Sequence, residues 1–301
     1  MIRLLLIACS LLFLPTAAVG QAQPELVEIR QGQPIRIRPD RAYILLRISR
    51  PEGVDKFDPV FLRVPTAAEM AGWEAARREA FARAEPALVR RREQQLARNR
   101  LPSAERSGPP VQVDPVPSVE NFRFEYGFVA NLNRVNADRA LVSGRPESTY
   151  LVEAAPGEYV LYGIYFHIGE PWVHTCLCLG TVGFSLQPGM VTDLGTFLAD
   201  RIDDVSVIPE LRAESGYGPS IRGVIWNFGA AIRPPTADTP RPQFPDGTTV
   251  RLADYHAVGK FFEPMAMGIN RLVPIPGVLA YDNGRVIDVR SGQAVPDMLD
   301  H

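Results

Sequence analysis

Between Tyr150 and Leu198 apolar residues fill both alternating sets of positions, which leaves the chain few ways to fold there. Ala155-Pro156-Gly157-Glu158 reads as a turn, Tyr159 to His167 as a strand and Ile168 to Trp172 as a tight connection. Val173 to Leu186 then returns, Gln187-Pro188-Gly189 turns again, and Met190 to Phe197 forms the next strand. A strand with apolar residues on both faces is covered on both sides, so the stretch predicts a β-sandwich.

Alternation also groups the chemistry of this stretch. Residues two apart on a strand share a face, so His174, Cys176 and Cys178 point one way. A connection symmetrical about Glu170-Pro171 sets His167 opposite His174, Tyr165 opposite Cys176 and Gly163 opposite Cys178. Two histidines and two cysteines form the ligand set of a zinc or Cu(I) site. Same-face neighbours lie roughly 6.6–6.8 Å apart, so His174 and Cys178 are about 13 Å from each other and a metal takes three of the four at most. A Cys176–Cys178 bridge is the second reading, and it needs a bulge or kink to bring the Cβ atoms to about 3.5–4.5 Å. Two buried reduced thiols, or a link between molecules, is the third. The same parity runs on into Val182, Phe184 and Leu186, which places the cysteines on the core side.

Around this centre the pattern changes twice. From Pro24 onward Leu26, Ile29, Ile35 and Ile37 sit among polar residues, and 42–48 and 59–64 are rich in strand formers. Thr66-Ala67-Ala68-Glu69 is a capping box that starts a helical insertion over 66–99, which Pro86 is expected to kink or break. Segment 66–106 carries nine Arg and six Glu. Its signs are interspersed, as on a solvated helix laced with ion pairs, and its other use is an arm for another envelope protein. Residues 100–118 are a Pro-rich exposed loop, and Phe122, Phe124, Tyr126 and Phe128 at period two predict a strand with an aromatic face. The sandwich domain therefore spans 23–200. Residues 201–301 form an irregular or β region, with a proline-rich loop at 233–247 and a closing hairpin turned by Asn283-Gly284.

The N-terminus bears on where this happens. Arg3, an apolar block from Leu4 to Leu14, and small residues up to Ala22 follow the order of a secretory signal peptide over 1–22. A block of eleven residues is too short for a membrane-spanning helix, which needs about 20. Cys9 lies inside the block, with five apolar residues before it, and makes a poor lipidation site. No later segment is long and apolar enough to span a bilayer. Without the signal the charge is −3, from 31 basic and 34 acidic residues, and so near a balance leaves no footprint for nucleic acid. Thirty arginines against Lys56 and Lys260 fit a GC-rich bacterial genome. No phosphate-cradling glycine loop, Gly-x-Ser-x-Gly elbow, His-Glu-x-x-His or Cys-x-x-Cys is present.

Ala155-Pro156-Gly157-Glu158-Tyr159-Val160-Leu161, Gly180-Thr181-Val182-Gly183-Phe184 and Gln187-Pro188-Gly189 resemble exported transthyretin-like and carboxypeptidase-regulatory-like β-sandwich modules. That resemblance implies an Ig-like or transthyretin-like two-sheet fold in the bacterial envelope and a non-catalytic binding or scaffolding role. The expectation is therefore a periplasmic or secreted binding protein. Two alternatives stand beside it: metal handling through His167, His174, Cys176 and Cys178, and an enzyme with its site in 201–301.

Overall fold

The computed structural model describes residues 26–105, 108–123, 131–167, 173–201, 206–212, 228–263 and 266–298, and it is mainly β. In chain order the strands are β1 (Leu26–Ile29), β2 (Ala42–Ser49) and β3 (Lys56–Arg63), then helix α1 (Ala67–Arg100) and β4 (Leu132–Arg134). There follow β5 (Glu147–Ala154), β6 (Gly157–His167), β7 (Val173–Cys176), β8 (Thr181–Leu186) and β9 (Met190–Arg201). The last are β10 (Phe228–Arg233), β11 (Thr249–Leu252), β12 (His256–Val258), β13 (Gly268–Ile269), β14 (Leu279–Asp282), β15 (Arg285–Asp288) and β16 (Gln293–Ala294).

These strands make two large sheets and one small one. The first runs β1-β5-β2-β9-β10, with β11 also paired to β9. The second runs β12-β8-β6-β3-β4, with β7 paired to β6 and β13 to β7, and the third is β14-β15-β16. One apolar cluster draws on both large sheets: Ile44, Leu46 and Phe197 from the first join Phe61, Leu161, Phe166 and Phe184 from the second. Phe61 sits at the seam, its ring edge-on to Phe184 and to Phe197 at 5.8 Å each. The region after 201 is part of the same framework, since β10 and β11 extend the first sheet, β12 and β13 the second, and Phe228, Tyr255 and Leu272 enter the shared cluster.

The two-sided apolar pattern of the sequence has a cause that alternation alone does not show. In β6 the core-facing side chains are Tyr159 and Leu161, then Ile164 and Phe166. The parity flips because β6 carries an extra residue where Val60 pairs with Gly163 and Phe61 with Leu161. β9 flips the same way: Leu194 faces the core, then Phe197 and Ala199, and between them Gly195 sits at φ +82°. A Cβ there would lie 2.1 Å from the Arg233 carbonyl oxygen, so only glycine fits this bulge. The outer face of the first sheet is buried as well, with Tyr43, Leu45, Leu151 and Val191 covered by Ile35, Ile37 and Phe244 from the flanking loops. On that face Arg47 donates to both oxygens of Asp193, at 2.9 and 3.3 Å, and to the Pro240 carbonyl at 2.6 Å. Arg241 adds a third donor nitrogen to the Asp193 carboxylate at 3.0 Å. A fully buried carboxylate is tolerated only when paired and bonded in this way, and the pairing ties the 233–247 loop to the sheet.

Several expectations change. Val173 to Leu186 is two strands with a turn at 177–180 between them, so Val182, Phe184 and Leu186 do not continue the parity of the cysteines. Pro86 lies inside a single 34-residue helix and does not divide it. Ala82, whose carbonyl loses the proline's missing N–H, is exposed, so water can take the donor's place. The Thr66–Glu69 capping box forms in both directions, at 3.2 and 2.7 Å. The Pro-rich segment is fastened to the helix: the Asn99 amide bonds both backbone groups of Val111, at 2.7 and 3.1 Å, and Phe122 meets Phe81 at 5.5 Å. Asn283 and Gly284 both adopt positive φ, 48° and 77°, as the closing hairpin requires. The aromatic strand expected through Phe124, Tyr126 and Phe128, the signal segment 1–22 and Cys9 lie outside the described residues.

Candidate functional site

The strand pair that carries the histidines and cysteines is β6 with β7. Its register sets Tyr165 opposite His174 and Gly163 opposite Cys176, two residues away from the symmetrical hairpin that the sequence suggests. His167 instead pairs across β3 with Lys56, and its Nε2 lies 3.1 Å from Asp58 Oδ2. Asp58 is fully buried, and its Oδ1 accepts from the Ala137 backbone N–H at 2.8 Å, so it fastens β3 to the turn that follows β4.

His174 is buried on the face away from the shared core. Its ring stacks on Tyr165 at 4.6 Å and Tyr162 at 6.3 Å, and Tyr162 stacks in turn on Phe261 at 4.9 Å. Gly163 permits this, since a Cβ there would stand 2.9 Å from His174 Nε2. That nitrogen has no hydrogen-bond partner among the described residues, and desolvation holds the imidazole below its ordinary pKa, hence neutral.

Cys176 and Cys178 come together as a disulfide pair with Cα atoms 5.2 Å apart. β7 ends at Cys176 and Cys178 already belongs to the turn, which supplies the departure from strand geometry that the pairing needs. Both are buried, but outside the shared core and beneath the C-terminal segment. The Phe261 and Asn270 N–H groups donate to the Cys178 and Cys176 carbonyls at 3.0 and 2.9 Å. The four-residue metal set is therefore split: the cysteines meet each other, His174 meets aromatic rings and His167 meets Asp58. Among the described residues no three His, Cys, Asp or Glu side chains group as metal ligands. The physical reason is the register shift together with the break after Cys176.

A second constellation was not singled out by pattern. At the end of β2 and the start of β3, a shallow cleft is lined by Arg50, Lys56, Phe57, Arg145, Ser148 and Tyr150. A wider, open hollow beside it shares Arg50, Arg145 and Pro146. Lys56 pairs with Asp138, whose carboxyl is held below its ordinary value chiefly by that lysine, with His167 and Arg50 acting in the same direction. The loops are pinned: the Arg50 N–H donates to the Pro146 carbonyl at 2.6 Å, and Gly144 and Ser148 exchange bonds of 3.2 and 3.1 Å. The arginines come from separate turns and meet only through pairing of β2 with β5.

The third feature is α1 itself, about 51 Å long at 1.5 Å per residue, with no buried residue. Its half-buried stripe, Trp73, Arg77, Ala80, Ala84 and Leu88, recurs at helical spacing. Arg77 lies 4.4 Å over the Trp73 ring and reaches the Glu120 carbonyl, and Phe81 meets Phe122, so the Pro-rich return runs along the helix. Glu74–Arg78 and Glu79–Arg83 pair along the helix. Arg90, Arg91 and Arg92 are exposed and have no carboxylate partner among the described residues. No family model, curated protein or solved structure matches this chain.

Proposed function

We propose that this chain is an exported, non-catalytic binding or scaffolding protein: a two-sheet β-sandwich that presents α1 and its Pro-rich return as an arm for an acidic partner protein of the envelope. The observation that carries the reading is that none of 34 ordered residues with a fully formed cap is fully buried, and none joins the core clusters. Ordering each residue costs roughly 1–2 kcal/mol, and an element that adds nothing to the core is kept for what it presents. The arm also leaves and re-enters the second sheet at adjacent points, because Leu62 at the end of β3 pairs with Leu132 at the start of β4. The helix carries eight arginines and five glutamates, with the run Arg90-Arg91-Arg92 in its second half lacking a carboxylate partner among the described residues, so its complement is an acidic surface. The apolar cluster common to both sheets supports the sandwich, which is also what the transthyretin-like resemblance implies.

Excision tests the reading. Replacing 65–130 with a short turn is expected to leave the β framework folded, with stability within about 1 kcal/mol of the parent. A photo-crosslinker at Val89 is expected to give a discrete adduct in envelope extracts that disappears when Arg90, Arg91 and Arg92 are reversed to Glu. Unfolding of the excised chain, or an adduct indifferent to charge reversal, refutes the arm.

A further inference from the structure

We propose that the cleft between the turn after β2 and the loop before β5 is a binding site for a small oxyanion, a phosphate or carboxylate group, clamped by Arg50 and Arg145. The site uses no residue of α1, so it stands or falls apart from the arm. Arg50 and Arg145 each line both the cleft and the wider hollow beside it, so they stand at the wall common to the two. Both side chains are exposed, and neither forms an ion pair among the described residues, Arg50 acting on Asp138 only at longer range. Elsewhere the protein pairs its arginines readily, as in Arg47–Asp193, Arg63–Glu69 and Arg233–Glu210.

Position and surroundings add to this. Ser49 pairs with Glu147 across β2 and β5, so the residues that follow Ser49 and precede Glu147 are carried on adjacent strand ends. The Arg50 N–H bond to the Pro146 carbonyl and the Gly144–Ser148 exchange fix both loops before any ligand arrives. Preorganised donors lose less on binding than flexible ones. Ile48 and Phe57, both buried, line the cleft beside the arginines. Lys56 supplies a third cation, partly offset by Asp138, and Glu52 is the acidic residue lining the wider hollow. Guanidinium forks match the paired oxygens of carboxylate and phosphate, which is why two arginines favour an oxyanion over a spherical anion such as chloride.

The test uses the full mature chain, ¹⁵N-labelled, titrated with inorganic phosphate, with succinate and with sodium chloride at matched ionic strength. Saturable amide shifts centred on Arg50, Gly144 and Ser148 are expected with phosphate or succinate and not with chloride. Arg50→Ala and Arg145→Ala are each expected to weaken binding about tenfold, equivalent to about 1.4 kcal/mol, and the double variant to abolish it. Both positions are exposed, so the variants keep the fold, and Arg91→Ala on α1 serves as the unaffected control. Phosphatidylglycerol and phosphatidylcholine vesicles separate the sources: binding to the first alone, lost in the double variant, assigns the oxyanion to a lipid headgroup. An equal response to chloride, an unchanged affinity in the double variant, or no response to phosphate, succinate or phosphatidylglycerol overturns the proposal.

Discussion

Replacing Phe61 by alanine measures how far the two large sheets depend on one another. Phe61 is fully buried on β3, and its two ring partners come from different sheets, Phe184 from the second and Phe197 from the first, each 5.8 Å away and near perpendicular. Truncation removes the transfer free energy of the ring and leaves a cavity. For a buried phenylalanine the sum is about 3–5 kcal/mol, and edge-to-face pairs add about 0.5–1.5 kcal/mol beyond burial. The walls of the cavity are strands fixed by ladders on both sides, so collapse is restricted and the upper half of that range, about 4–5 kcal/mol, is expected. Against a total of about 5–15 kcal/mol that loss is large, and it lowers the melting temperature by roughly 8–20 °C in a chain of this size class. Urea unfolding followed by tryptophan fluorescence reads it as a midpoint shift with the slope m unchanged. Phe262→Ala, at a ring 75 % exposed, is the control and is expected to stay within about 0.5 kcal/mol. A loss below about 1.5 kcal/mol at Phe61 would refute the shared core.

Two further perturbations probe the strand pair at β6 and β7. Intact mass is expected to rise by two hydrogens on reduction of the Cys176–Cys178 pair. Because the ring it closes spans three residues, chain entropy puts its worth at about 1.6 kcal/mol, far less than a long-range bridge; a mass indifferent to reductant removes the bridge. His174 is held neutral by burial below its ordinary value of 6.5. The unfolded chain therefore takes up a proton that the folded one refuses, and stability is expected to fall as pH drops through and below that value. His174→Phe keeps the stack on Tyr165 and is expected to flatten the profile between about pH 7 and 5; a slope as steep as the parent's would show that His174 is not its source.

Local signals were the legible ones, because each is decided within a few residues. The capping box at Thr66–Glu69 and the Asn283-Gly284 turn depend on nearby hydroxyls, carboxylates and positive φ, and both formed as the residues require. Strand composition likewise gave a mainly β chain with one helical insertion. Register was not legible, because it is set by partners far along the chain: the extra residue in β6 and the Gly195 bulge in β9 each flip which side chains reach the core. Alternation read as one strand carries its parity through the turn at 177–180 and so puts Cys176 on the core side, and the register of β6 with β7 sets Tyr165 and not His167 opposite His174. The sequence by itself determined the class of fold, the capped helix and the turn chemistry. Only the tertiary structure decided which faces His167, His174, Cys176 and Cys178 occupy, and that Arg50 and Arg145, 95 positions apart in sequence, share one cleft. Propensity and capping are near-neighbour energies, while faces and clefts follow from strand pairing between residues that no local pattern relates.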